Sequence, residues 1–213
     1  MKKIFIIIIT ILSIVIFGIF LFIYQSSVYY TAQELSIQEI SSSIDKDNDG
    51  IDDYHDFVLS ARQYIQTNPT YKSAYYAGGY PDDGCGVCTD VIIQAFLGSG
   101  YDIKTSIDQD IELNQNQYSI EKQDKNIDFR RVRNLNIYFS RFAETLTIET
   151  NNPEDWQPGD IVIYEKHIAL CSDRRNNHGF PFIIHHDFLG AREKNELTNS
   201  KIIAHYRWKE NFS

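Results

Sequence analysis

The spacing of apolar residues changes three times along this chain. From Ile4 to Tyr24 the run IFIIIITILSIVIFGIFLFIY has no charge and no periodicity, and it is long enough to cross roughly 30 Å of hydrocarbon as one helix. Between residues 53 and 144 apolar positions recur every three or four residues. From Trp156 onward they form short alternating or continuous runs.

The middle region predicts helices. In DYHDFVLSARQYIQ, Tyr54, Phe57, Val58, Ala61, Tyr64 and Ile65 share one face, and the pattern stops ahead of Pro69. In CTDVIIQAFLGSG, Val91, Ile92, Ala95 and Phe96 line one side, and Gly98 and Gly100 supply a stop. KTSIDQDIELNQNQY is a weaker helical pattern. Leu135, Tyr138, Phe139 and Phe142 mark another helix at about 134 to 144. The later runs GDIVIYE, HIALCSD, PFIIHHD and KIIAHYRW are separated by turn-forming residues and predict strands. Helices first and strands second make the class α+β with an antiparallel sheet.

The apolar run sets the organisation. Lys2 and Lys3 precede it, and residues 25 to 44 contain no Lys or Arg, so the positive-inside tendency puts the rest of the chain outside the cytoplasm. QSSV at 25 to 28 is a poor cleavage site. The expected order is a transmembrane anchor over 1–24, a Ser- and Gln-rich stalk over 25–44, an acidic loop over 45–56 and a domain over 52–213. Cleavage of the first segment would make the protein secreted. A net charge of −9 excludes a large nucleic-acid footprint. The odd cysteine count, three, leaves at least one thiol unpaired within the chain.

That remainder directs attention to DGCGVCTD, residues 83 to 90. Cys88 stands where a helix begins, where unpaired N–H groups and the helix dipole stabilise a thiolate and can also receive an oxyanion. Cys85 has no helix behind it. A redox pair, half of a zinc site and a masking Cys85–Cys88 disulfide are the other readings of this spacing. A nucleophilic cysteine needs a base held by a third group. His167 opens one strand and His185 ends another; on antiparallel neighbours both rings can reach one face, with His167 as base and His185 orienting it. His186 then faces the other way, and His205 is a rival third member. Cys171, inside an apolar strand, reads as a core residue.

WQPGDIVIY, then HIAL, then FIIHH resembles the strand series of NlpC-type papain-like cysteine hydrolases, which cut peptide bonds in bacterial cell walls. With GVCTDV, NIDFRRVRNL and HYR added, the pattern resembles more closely an uncharacterised bacterial envelope family, YijF-like, over about residues 52 to 208. The resemblance implies a circularly permuted papain-like fold with the Cys88 helix packed on an antiparallel sheet. It also implies a Cys88–His167–His185 site that needs no cofactor for catalysis. The expected partner is cell-wall peptide or another envelope amide. Hydrolysis is the expected reaction; acyl transfer to an amine, or binding without catalysis, are the alternatives. Arg130 and Arg131 are candidates for gripping a substrate carboxylate, and Tyr80 for lining the cleft.

One motif stands apart. DKDNDGIDDYHD offers Asp45, Asp47, Asp49, the Ile51 carbonyl, Asp53 and Asp56 at loop positions 1, 3, 5, 7, 9 and 12, with Gly50 at 6. This is the oxygen spacing of a calcium loop, similar to single dockerin- and thrombospondin-type loops. Calcium in a structural role is therefore expected, more weakly bound because Asp56 stands where a longer Glu is usual. A solvated acidic turn capping the next helix is the plain alternative.

Overall fold

The computed structural model of this protein describes residues 11–18 and 28–209. Residues 11–18 form a helical segment (α1) with exposed side chains. Most of the expected anchor lies outside the described residues, and among the described ones no helix is long and apolar enough to cross a membrane.

The helices follow the three- and four-residue periodicity: α2 (Asp53–Gln66), α3 (Cys88–Gly98), α4 (Ile103–Leu113), α5 (Gln115–Tyr118) and α6 (Val132–Phe142). The strands are β1 (Thr70–Tyr71), β2 (Cys85–Gly86), β3 (Ala143–Thr145), β4 (Ile161–Tyr164), β5 (Ile168–Arg175), β6 (Pro181–Asp187), β7 (Gly190–Lys194) and β8 (Ile202–Trp208). Six of them form an antiparallel sheet in the order β3-β8-β4-β5-β6-β7. β1 and β2 make a separate two-residue parallel pair. The class is α+β with an antiparallel sheet.

The alternation of each strand divides the apolar residues into two cores. Ile161, Ile163, Ile168, Leu170, Ile184 and Tyr206 face the helices and join Phe57, Ile92, Phe96 and Phe139. Phe57 stacks on Phe96 at 4.3 Å where α2 crosses α3. That crossing is close enough that a Cβ on Gly98 would meet Ser60 Oγ at 2.3 Å, which explains a glycine in a helix. Val162, Tyr164, Ala169, Cys171 and Ile183 point the other way and join Trp156, Leu197 and Ile202 in a smaller core.

The expected stalk is a correction. Residues 30 to 40 lie against the domain: Tyr30 bridges to Arg175 on β5, Ala32 is buried, and Gln157 bonds the backbone of Gln38 and Ile40 at 3.1 Å each. Polar composition concealed this, because the docking uses backbone hydrogen bonds and few apolar side chains. Likewise β3 begins where the helix was expected to end, and β7, rich in charge, has no apolar run to betray it.

The Pro-Gly-Asp turn before β4 locks the sheet. Asp160 is fully buried and accepts from Arg207 at 2.7 and 2.8 Å, from His205 Nε2 at 2.9 Å and from the Gln157 N–H at 2.8 Å. Trp156 stacks on His205 at 3.9 Å. Gly159 has φ +79°, and a Cβ there would meet the Tyr54 carbonyl oxygen at 2.8 Å. Removing one partner of a buried charge pair strands the other and costs about 3–5 kcal/mol. Asp160→Asn is accordingly expected to lower unfolding free energy by about that amount in urea denaturation, while Glu154→Gln, at an exposed carboxylate, stays within about 0.5 kcal/mol of wild type.

Candidate active site

Cys88 is the first residue of α3, and its position follows from how that helix begins. Val87 is extended (φ −140°, ψ −179°), and the Asp90 carboxylate, one turn on, accepts its N–H at 2.7 Å. Arg130 then grips Asp90 through two bonds of 2.8 Å and donates to the Ala74 carbonyl at 3.2 Å. A Cβ on Gly86 would lie 2.0 Å from the Tyr64 hydroxyl, so the tyrosine packs directly onto this glycine. A helix start, two loops and the short β1–β2 pair thus converge on Cys88.

The thiol is buried, 8% exposed. The backbone amides of Ile168, at the start of β5, and of Thr89 and Cys88 favour the thiolate. Burial outweighs them, with Asp90 adding to it, and the Cys88 thiol is pushed up to about 11. The expected low-pKa thiolate is therefore corrected: desolvation at a buried helix start exceeds the help from its amides. All three cysteines are free. Cys85 is half-buried and also held up, by burial first and then by its hydrogen bond to Asp83. Cys171 is wholly inside the smaller core.

His167 directly precedes Ile168, whose amide meets the thiol. Its Nε2 is 3.0 Å from His185 Nδ1, and His185 Nε2 lies 2.9 Å from Glu196 Oε2, close but out of line for a hydrogen bond. Burial and the His185 neighbour push His167 down to about 4. His185 is lowered too, by burial and by Arg192. The two imidazoles border a cleft of about 330 Å³ shared with Tyr164, Asp187, Arg192 and Glu196. Cys88 is not part of its wall, and Arg192 bridges Asp187 and Glu196.

His186, a residue the sequence reading set aside, faces the other side of the sheet, the side that carries Cys88. It is fully buried beside Tyr71 at 5.5 Å and Tyr64 at 6.5 Å. Among the described residues, neither its ring nitrogens nor the Tyr64 hydroxyl has a hydrogen-bond partner. Leu170 pairs with Ile184, so continuing that register by two residues brings His186 opposite Ile168. The doubled histidine of FIIHHD was the available signal, since one of two successive strand residues always faces the helices. The rival His205 is engaged by Asp160 and by the Thr147 carbonyl, and is structural.

The expected substrate contacts are largely spoken for. Arg130 is buried and bound to Asp90, which corrects its reading as a substrate grip. Arg131 is exposed, 3.4 Å from Asp128. Tyr80 is half-buried with its ring against Phe129 at 5.6 Å. In the acidic loop, Asp45, Asp47, Asp49 and Asp56 come together. Asp53 does not: it accepts from the Lys46 N–H at 2.9 Å and from the Tyr101 hydroxyl, so that expected ligand is corrected to a packing role.

A family model described as "Domain of unknown function (DUF1287)" matches residues 58–208. The chain is 36% identical over 161 residues to a protein of Escherichia coli (strain K12) described as "Uncharacterized protein YijF", covering 70% of this chain and 78% of that protein. No solved structure matches it. With most of its length matched by the family model and by this relative, the chain belongs to the DUF1287 family of domains of unknown function.

Proposed function

We propose that this protein is a thiol hydrolase of NlpC-like, circularly permuted papain type, cleaving amide bonds of cell-wall peptide outside the cytoplasm, where the apolar run at 4 to 24 anchors it in the membrane. The observation that carries this reading is the nearness of the Cys88 thiol to the Ile168 amide, one residue from His167, whose Nε2 is hydrogen-bonded to His185 Nδ1. His185 engages Nε2 of His167, so Nδ1 is the ring nitrogen left to take the thiol proton. The wall-peptide substrate rests on the NlpC-type resemblance.

Thiol and imidazoles are all neutral at pH 7, so the proton moves as the bond forms and no thiolate–imidazolium pair stands ready. Cys88 Sγ attacks the carbonyl carbon while His167 Nδ1 takes its proton. The carbonyl oxygen becomes an oxyanion facing the Cys88 N–H. Collapse breaks the C–N bond, and the amine leaves with the proton from His167. Water, deprotonated by His167, then cleaves the thioester, releasing the carboxylate and returning the proton to sulfur.

Wall-peptide fragments incubated with the full-length protein should give amide cleavage detectable by mass spectrometry. Cys88→Ala is expected to abolish it, His167→Ala to lower kcat/KM by about 10²–10⁴-fold, and His186→Ala to leave turnover close to wild type. Retained turnover in Cys88→Ala would falsify the assignment. If His186→Ala proves as damaging as His167→Ala while folding normally, the base has been misidentified.

Two pH dependences follow. An imidazole held near 4 stays neutral until strongly acid pH, so the acid limb of kcat/KM is expected near pH 4 instead of 6.5. Alkylation of Cys88 by iodoacetamide should rise about tenfold per pH unit from 7 towards 10, since the thiolate fraction grows by that factor below the pKa. Rapid, pH-independent labelling at pH 6 would contradict a buried neutral thiol.

A further inference from the structure

The acidic loop lies ahead of the stretch matched by the family, residues 58–208, and the thiol site makes no use of it. Side-chain oxygens of Asp45, Asp47, Asp49 and Asp56 all lie within 4.8 Å of one another. Oxygens about 2.4 Å from a common calcium ion are at most about 4.8 Å apart, and the spacing of all four meets that condition.

Asp56 supplies a second, independent observation. It sits in the first turn of α2, is 5% exposed, and its Oδ2 has no hydrogen-bond partner among the described residues. A buried carboxylate oxygen left unsatisfied is costly, and the groups nearest to it make matters worse. The Asp45, Asp47 and Asp49 carboxylates each bring an oxygen within 4.8 Å of it, so like charges crowd against a carboxylate already removed from water. The lysine within the loop does not answer this charge, since the Lys46 ammonium lies over the Tyr101 ring at 5.5 Å. A divalent cation would satisfy the orphaned oxygen and remove the repulsion together.

We propose that Asp45, Asp47, Asp49 and Asp56, with the Ile51 carbonyl, bind one calcium ion that fastens the N-terminal arm to the start of α2. Three carboxylates from a loop and one from a helix suit a large, tolerant oxygen-binding ion better than magnesium, which demands near-ideal octahedral geometry. The loop is already set against the turn after α3, where a Cβ on Gly100 would meet Asp47 Cβ at 3.2 Å. Asp53 clips the same region through Lys46 and Tyr101. Calcium bound here therefore stabilises the join between the arm, α2 and the turn before α4, independently of catalysis at Cys88.

The test is calcium titration of the full-length protein, purified in detergent and stripped with EDTA, followed by calorimetry and thermal unfolding. One ion per chain is expected, with Kd in the range of about 10⁻⁴–10⁻³ M typical of extracellular sites. The expected rise in Tm is about 5–10 °C at a hundredfold excess over Kd. Asp47→Asn, at an exposed ligand that puts little folding at risk, should weaken binding at least about tenfold. Asp56→Asn should remove the response, and it should raise the metal-free Tm because a repelled buried charge is gone. No binding up to 10 mM, an equal response to magnesium, or an unchanged Kd in both variants would each overturn the proposal.

Discussion

The Asp90–Arg130 pair is the constraint on which the candidate site depends. Both side chains are almost wholly removed from water, at 3% and 2% exposed, and an ion pair so buried is tolerable only when its geometry is good and its remaining donors and acceptors are filled. Here they are. The bond is two-pronged, Asp90 also takes the Val87 N–H, and Arg130 also reaches the Ala74 carbonyl and lies over the Tyr76 ring at 5.2 Å. One charge pair thereby fixes the first turn of α3, the loop before it and the short 3-10 turn at Asp128–Arg130.

The same burial that organises the site also sets its resting chemistry. The amides of Ile168, Thr89 and Cys88 favour the Cys88 thiolate, yet the thiol remains protonated because excluding water penalises the charged form more than those dipoles favour it. The histidines across the strand end are neutral for the same reason. Charge then arises only as a reaction proceeds, in surroundings where fixed N–H groups act strongly because the effective dielectric is low. Desolvation and preorganisation are two results of one packing arrangement.

The sheet gives the site two sides. His167 and His185 belong with the smaller core and its cleft, whereas His186 belongs with the helices and the tyrosines of α2 and β1. The Cys88 sulfur lies at the start of β5, beside the peptide that joins His167 to Ile168. Alternation therefore puts His186 on the sulfur's face of the sheet and the His167–His185 cleft on the opposite one.

Much of this was legible in the chain. Residues 53 to 66, 88 to 98 and 181 to 187 became the elements their periodicity predicted, because apolar spacing must match the pitch of whatever buries it. The helix-start position of Cys88, the neighbouring His167 and His185, and the gathering of Asp45, Asp47, Asp49 and Asp56 could be read from short-range order. Other features depended on partners distant in sequence. Arg130 became an internal clamp because Asp90 lies beside it in space, Asp53 was drawn away by Tyr101, the N-terminal arm docked through backbone bonds, and the thiol rose because packing excluded water. Local sequence determined which groups sit at element ends and on which face they alternate; tertiary structure decided which charges meet and how dry each becomes, since desolvation and pairing depend on all the surrounding atoms at once.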